Sequence, residues 1–394
     1  MPTVNANAIR RVVITAMGTV SPLGIGCAEA ARALKEARDC VAPVTMFDVS
    51  KCRSKTAGHA PQLSADDERL HPASRMMIAA ALETRNGDPG FSPECAIIGT
   101  TSGGMSDGER YYRTQSKRRR SQAALLANYP AQRPVLDALR AIGSTAPAQI
   151  IANACASGSN AIGHAFRLIR AGVHDRVLAG GYDALCELVF VGFDSLQAAT
   201  TDKVRPFDRA RTGLVLGEGA ALLSLEELSS AQRRGAPILA EVTGYGISTD
   251  NHHLTQPHPS GIGPEMAMTR ALADAGRTPG EIDYINAHGT ATIFNDSSEG
   301  VAINKVFGPR VPVSSTKGMM GHSLGAAGAI EAVFCILALN EQFLPPNINY
   351  READPAFDLN IVANASRGAE LRAVLSNSFG FGGTNASIIL EAAR

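Results

Sequence analysis

The chain has 394 residues, with 37 basic and 37 acidic side chains and a formal net charge of zero. That balance excludes a global field that would draw in nucleic acid or a membrane surface. Apolar residues make up 45%, aromatics 5%, and tryptophan is absent, which excludes a disordered chain and argues against an aromatic carbohydrate-binding face.

Short apolar runs alternate with Ala-rich stretches of helical length, the pattern of an α/β protein with a buried, largely parallel sheet. The first residues, "MPTVNANAIRRVVIT", lack the apolar centre of a signal peptide. No apolar run is read as reaching about 18 residues, so a soluble, cytoplasmic protein is expected. Strands are expected at 10–17, 95–101, 148–153, 175–181 and 219–227. Between the second and third, 106–146 is polar, basic and irregular ("SDGERYYRTQSKRRRSQ"), and reads as an insertion. A second set of five strands is expected at 237–247, 282–288, 310–315, 370–378 and 386–392. In each set the third strand runs into a helix rich in small residues, "NACASGSNAIGHAFRLIRAG" (153–172) and "KGMMGHSLGAAGAIEAVFCILAL" (317–339). Pro345 and Pro346 are expected to stop the second helix. These repeats imply a duplicated unit with a seam near 233–237, giving halves 1–235 and 236–394.

"GHSLG" (321–325) matches the nucleophile elbow of serine hydrolases, but that fold places its histidine after the serine. All nine histidines precede Ser323, so the glycines are read instead as close-packing positions. "SSTK" (314–317) fits an S-x-x-K acyl-enzyme motif whose companion motifs are missing. "GFGGTN" (380–385) lacks dinucleotide-loop spacing. His252, His253 and His258 form a cluster without nearby cysteine or paired carboxylates, which disfavours zinc. The seven cysteines are scattered without a C-x-x-C pair, as reduced thiols would be. Cys155 stands apart, because it lies where a strand turns into a helix among small residues. A helix N-terminus favours an anion there and would lower the thiol pKa. On these features alone an inert buried cysteine fits as well as a nucleophile. His288 and His322 sit at strand ends of the second half, the side on which open α/β sheets bind ligands.

Together, "NACASGSNAIG", "RPFDRARTGLVLGEGA", "NAHGTATIFND", "SSTKGMMGHSLGAAGAIE" and "SNSFGFGGTN" resemble the β-ketoacyl-[acyl-carrier-protein] synthases. The resemblance is to the elongating, FabB/FabF-like branch with a Cys-His-His triad, and it spans nearly the whole chain. It implies the thiolase fold, a duplicated five-layered αβαβα sandwich, and a decarboxylative Claisen condensation in fatty acid or polyketide biosynthesis. It also implies Cys155 as the acylated nucleophile, His288 and His322 for malonyl decarboxylation, and Lys317 with Glu331 as their electrostatic support. Phe381 would gate the site and lend its backbone N–H, with that of Cys155, to an oxyanion hole. Thr290 and Thr292 would bind the phosphopantetheine arm, with Thr255 and Phe379 beside them. Ser102 would border the acyl tunnel, where fatty-acid-elongating relatives often carry a bulkier residue, and Met77 replaces a commonly acidic one. An acidic acyl carrier protein would dock on Lys117, Arg118, Arg119, Arg120, Arg205 and Arg75. The family implies a homodimer, or a heterodimer with a related subunit, and no cofactor beyond the pantetheine that the carrier brings. A starter-type synthase would have Asn in place of His322. A chain-length factor would lack the cysteine.

Overall fold

The computed structural model describes residues 10–63, 70–116 and 120–393. Each expected apolar run forms a strand: β1 Val12–Ser21, β2 Cys95–Gly99, β3 Ala148–Ile151, β4 Arg176–Asp183 and β5 Gly219–Glu227 in the first half. The second half supplies β6 Ala240–Thr249, β7 Tyr284–Asn286, β8 Pro312–Ser314, β9 Ala373–Gly380 and β10 Thr384–Ala392. Hydrogen bonding runs in the order β3-β2-β4-β5-β1-β6-β10-β9-β7-β8, so the second five strands repeat the first five in mirror order about the β1–β6 junction. That junction is short and antiparallel, pairing Val12, Val13 and Ile14 with Val242, Glu241 and Ala240. A short strand, Asn360–Ile361, extends the sheet beyond β8.

The sheets are mixed rather than largely parallel. β2 pairs parallel with β3 and β4, and β7 with β8 and β9. The pairs β4–β5, β5–β1, β9–β10 and β10–β6 are antiparallel. The physical reason is local at β9–β10, where Gly382 (φ 84°) and Gly383 (φ 79°) close a tight reversal, a turn that only antiparallel strands can share.

Two helices, α3 (Ser157–Arg170) and α6 (Ala327–Glu341), lie between the half-sheets and touch strands of both. On the outer faces, α1 (Pro72–Gly87) with α2 (Gln132–Ala141) cover the first half, and α4 (Ile262–Ala275) with α5 (Ile293–Phe307) the second. Five layers result, which is the thiolase architecture. The central position explains why α6 is apolar on all sides. Leu324–Glu341 has the length and hydropathy (mean 1.5) of a membrane span, contrary to the expectation that no run comes near it, yet 89% of it is buried inside the fold.

The duplication extends to backbone detail. Each central helix is entered through a left-handed residue three positions before its start, Ala154 (φ 57°) and Leu324 (φ 53°). The glycines of "GHSLGAAG" are explained by close packing: a Cβ on Gly158 would lie 2.8 Å from the Gly325 carbonyl oxygen, and one on Gly328 2.1 Å from Ser159 Oγ. The stretch 106–146 is not irregular where it is described, but largely helical, comprising Met105–Ser116, a 3-10 segment at Arg120–Ala127 and α2, which buries one face.

Candidate active site

After β3 the chain turns sharply through Ala154. Ser157 Oγ holds the turn by donating to the Ala154 carbonyl (2.6 Å) and accepting from the Asn153 N–H (3.0 Å). This places Cys155 two residues before α3 and leaves it 5% exposed. Burial pushes its thiol up to about 12, although Lys317 and the backbone N–H groups of Phe381 and Cys155 pull it down. The expectation of a thiolate held by the helix terminus is therefore corrected. Cys155 sits before the helix, and loss of water outweighs the field of the N–H groups.

His288 follows β7. Its backbone N–H and that of Gly289 donate to the two carboxylate oxygens of Glu299 on α5, each at 2.8 Å, and Asn377 Nδ2 donates to the same group at 3.1 Å. His322 is fixed through its backbone, its N–H to Val215 O (2.7 Å) and its carbonyl accepting from Gly217 (2.9 Å). The two imidazoles meet edge to face with centroids 5.1 Å apart. Burial, then the charge of Lys317, holds both well below the ordinary histidine range. Both rings are therefore neutral, each with one N–H and one lone pair. Among the described residues, neither His322 nitrogen, nor His288 Nδ1, has a partner. Lys317 is ion-paired with Glu331 in full burial. Burial raises the Glu331 carboxyl to about 7, and its Oε2 has no partner among the described residues.

Three buried acids that the sequence reading missed hold these loops in place. Glu299 anchors the His288 turn, and Asp296 accepts from the N–H groups of Phe207 (2.7 Å) and Ala291 (3.1 Å), tying "RPFD" to "HGTAT". Asp183 accepts from Thr100 Oγ1, from the backbone of Thr101, Ser102 and Gly325, and from Ser102 Oγ, at 2.7–2.9 Å. The signal was present in each case: a carboxylate inside an otherwise apolar strand or buried helix face must find donors.

Cys155, His288 and His322 line one cavity of about 170 Å³. Thr255, Thr290, Thr292, Phe379 and Phe381 line it too, and the hydroxyls of Thr290 and Thr292 are 2.9 Å apart. Phe379 packs against the His288 ring (5.8 Å), and Phe381 stacks on Phe193 (5.3 Å). A Cβ on Gly380 would reach within 3.1 Å of the Cys155 nitrogen, so any larger residue there would crowd the nucleophile's backbone. Ser314 Oγ is bonded to the Tyr284 hydroxyl, and the Ser323 hydroxyl is buried with no partner among the described residues. Neither serine lines the cavity.

Other expected positions lie elsewhere. Ser102 is not among the lining residues. Its hydroxyl is turned to Asp183 at 2.7 Å, because a buried carboxylate recruits every donor within reach. Ser102→Ile is thus expected to cost about 1–3 kcal/mol of stability by removing a donor from a buried acid, with no shortening of the product range. Thermal unfolding and product analysis would check both halves of that expectation. Arg205, expected at the docking surface, is only 4% exposed and bonds Asp202 at 2.7 Å. Arg75 is half-buried on α1 and does not line the cavity. Lys117, Arg118 and Arg119 lie outside the described residues, as does the side chain of Arg120. Among the described residues, His252, His253 and His258 do not form a group that could hold a metal ion.

A fold of this topology, with one cysteine and two neutral histidines at the same cavity, defines a condensing enzyme of the acyltransferase type. Residues 9–231 match the family model for the beta-ketoacyl synthase N-terminal domain, and 239–351 that for the C-terminal domain. The chain belongs to the β-ketoacyl synthase family. It is 38% identical to a 3-oxoacyl-[acyl-carrier-protein] synthase 2 of Coxiella burnetii, over 97% of this chain and 98% of that one. Among solved structures, the ishigamide ketosynthase/chain length factor superposes with a TM-score of 0.92 at 36% identity, covering 98% of this chain and 100% of that chain. A chain of the structure of a type II PKS acyl-carrier protein in complex with its ketosynthase bound to the hexaketide superposes at 0.88 with 28% identity, again over 98% and 100%.

Proposed function

We propose that the protein is a 3-oxoacyl-[acyl-carrier-protein] synthase in which an acyl group on Cys155 condenses with a malonyl-carrier thioester. The observation that carries this reading is the convergence of Cys155, His288 and His322 on one cavity, with both imidazoles neutral. The Cys155 thiol gives its proton to an imidazole lone pair and attacks the incoming acyl thioester, releasing the first carrier's thiol. The backbone N–H groups of Cys155 and Phe381 receive the oxyanion of that step. The malonyl carboxylate then leaves as carbon dioxide, and its electron pair forms an enolate whose oxygen accepts the histidine N–H groups. The enolate carbon attacks acyl-S-Cys155, the C–S bond breaks with its electron pair on sulfur, the Cys155 thiolate takes a proton from water to restore the thiol, and 3-oxoacyl-carrier departs. Phosphopantetheine belongs to the carrier substrate, and Thr290 and Thr292 present hydroxyls along its path.

Incubation with an acyl-loaded carrier protein should add one acyl mass to the peptide containing Cys155. Cys155→Ala should abolish that adduct, read by intact-mass and peptide mass spectrometry. Acylation at Ser323 or Ser314 instead would overturn the assignment.

A second reading, a ketosynthase subunit paired with a chain-length factor, is supported by the 0.92 TM-score to a chain of the ishigamide ketosynthase/chain length factor structure. Native mass measurement of the protein alone separates the two: a stable homodimer supports the first reading, and a monomer that gains activity only with a related subunit supports the second.

A further inference from the structure

The two backbone N–H groups that receive the oxyanion come from different halves of the duplicated fold. Cys155 follows β3 of the first half, whereas Phe381 lies in the reversal between β9 and β10 of the second. A long stretch of chain separates them, so tertiary contacts of the two loops must set their spacing. Several contacts of the reversal stay inside the second half. The Gly382 N–H donates to the Leu254 carbonyl at 2.7 Å, and the Asp250 N–H to the Gly383 carbonyl at 2.9 Å. The reversal also reaches the first half. The stack of Phe381 on Phe193 holds a side chain, and Thr384 Oγ1 donates to the backbone carbonyl of Asn153 at 3.1 Å.

Asn153 is a firm anchor for that hydroxyl. Its own N–H donates to Ser157 Oγ, which in turn donates to the Ala154 carbonyl, so Thr384 grips the same locked turn that carries Cys155. At the other end, Thr384 opens β10 directly opposite Gly380, the last residue of β9 and the neighbour of Phe381. A Cβ on Gly380 would lie 2.8 Å from Thr384 Oγ1 and 3.3 Å from the Ala154 Cβ. The hydroxyl and the nucleophile's turn therefore converge beside the Gly380–Phe381 peptide, whose N–H is close enough to the Cys155 thiol to pull it down.

We infer that Thr384 is a positioning residue whose hydroxyl clamps the Phe381 loop to the Cys155 turn and so sets the spacing of the two oxyanion donors. The inference rests on the synthase reading above and deepens it. Donors aimed in advance at the developing charge need no reorganisation during the reaction, and a small misplacement of them is costly. Acyl transfer to Cys155 depends on this pair of donors. Decarboxylation sends its charge to the histidines instead, whose backbones have separate anchors at Glu299, Val215 and Gly217. Loss of the Thr384 hydroxyl should therefore slow one half-reaction and spare the other.

The test compares the wild type with Thr384→Val, which keeps the branched shape without the hydroxyl, and Thr384→Ser, which keeps the hydroxyl. Single-turnover acylation of Cys155 by a hexanoyl-loaded acyl carrier protein is followed by intact mass. Release of labelled carbon dioxide from malonyl-carrier protein is measured separately, without an acyl donor. Thr384→Val should acylate about tenfold or more slowly, with carbon dioxide release within about twofold of the wild type. Thr384→Ser should return acylation to within about threefold, because it restores the donor. Acylation of Thr384→Val at the wild-type rate would overturn the clamp. An equal fall in both half-reactions would also overturn it, by showing a general packing defect. So would a Thr384→Ser variant as slow as Thr384→Val, since the hydroxyl would then not be the group that matters. A wild type that forms no acyl-Cys155 would instead defeat the synthase reading itself.

Discussion

Alanine at His288 or at His322 is expected to slow malonyl decarboxylation by about 10²–10³-fold, the usual cost of removing a donor from a developing oxyanion. The electron pair left by carbon dioxide must settle on the enolate oxygen, and in a buried cavity only fixed donors can receive it. Both imidazoles are kept neutral by burial and by Lys317. Their folded pKa values lie below the ordinary 6.5, so the donating form is already complete at neutral pH. Wild-type carbon dioxide release should therefore show no histidine limb between pH 6.5 and 8. Each variant should still form the acyl-enzyme, more slowly, because the neutral Cys155 thiol can pass its proton to the remaining imidazole. Release of labelled carbon dioxide from malonyl-carrier protein measures the effect, and normal release in either variant would remove that histidine from the mechanism.

Replacing Lys317 by Met should be the most damaging change away from the nucleophile. Lys317 and Glu331 are 1% and 0% exposed, and breaking a buried pair from one side typically costs about 3–5 kcal/mol. The lost positive charge has a second, separable consequence. Its field lowers the thiol pKa of Cys155, so without it that pKa rises further, and the thiolate fraction at a given pH falls. Iodoacetamide alkylation of Cys155 should then need a higher pH in the variant than in the wild type. Glu331→Gln, which keeps the cation and removes the anion, should not show that shift to higher pH. If the alkylation profiles of Lys317→Met and wild type coincide, the lysine acts only as a structural partner.

Much of this architecture could be read in the chain because its signals are local. Every expected apolar run became a strand, since an apolar run of that length flanked by turns has few other ways to be buried. The repeat of strand, sharp turn and small-residue helix was visible at 148–172 and again at 312–339. The direction of pairing was not visible, because periodicity reports which face is buried and not which neighbour runs which way. The stretch 106–146 was misjudged for a related reason. Its helix α2 buries only one narrow face, and polar residues on the others masked the period.

The sequence by itself determined which residues could do chemistry here: one cysteine at a strand-to-helix turn, two histidines at strand ends, and glycines where backbones had to touch. Their state was decided only by the tertiary structure. The Cys155 thiol is pushed up because the fold leaves it almost wholly buried, a cost that no count of neighbouring residues reveals. His288 and His322 become a pair only when β7 and the turn before α6 come together at one cavity. Ser102 and Arg205 show the converse, since each matched a role by position, yet buried Asp183 and nearby Asp202 claimed their donors. Burial and long-range partners set protonation and direction, and both depend on distances between residues far apart in the chain.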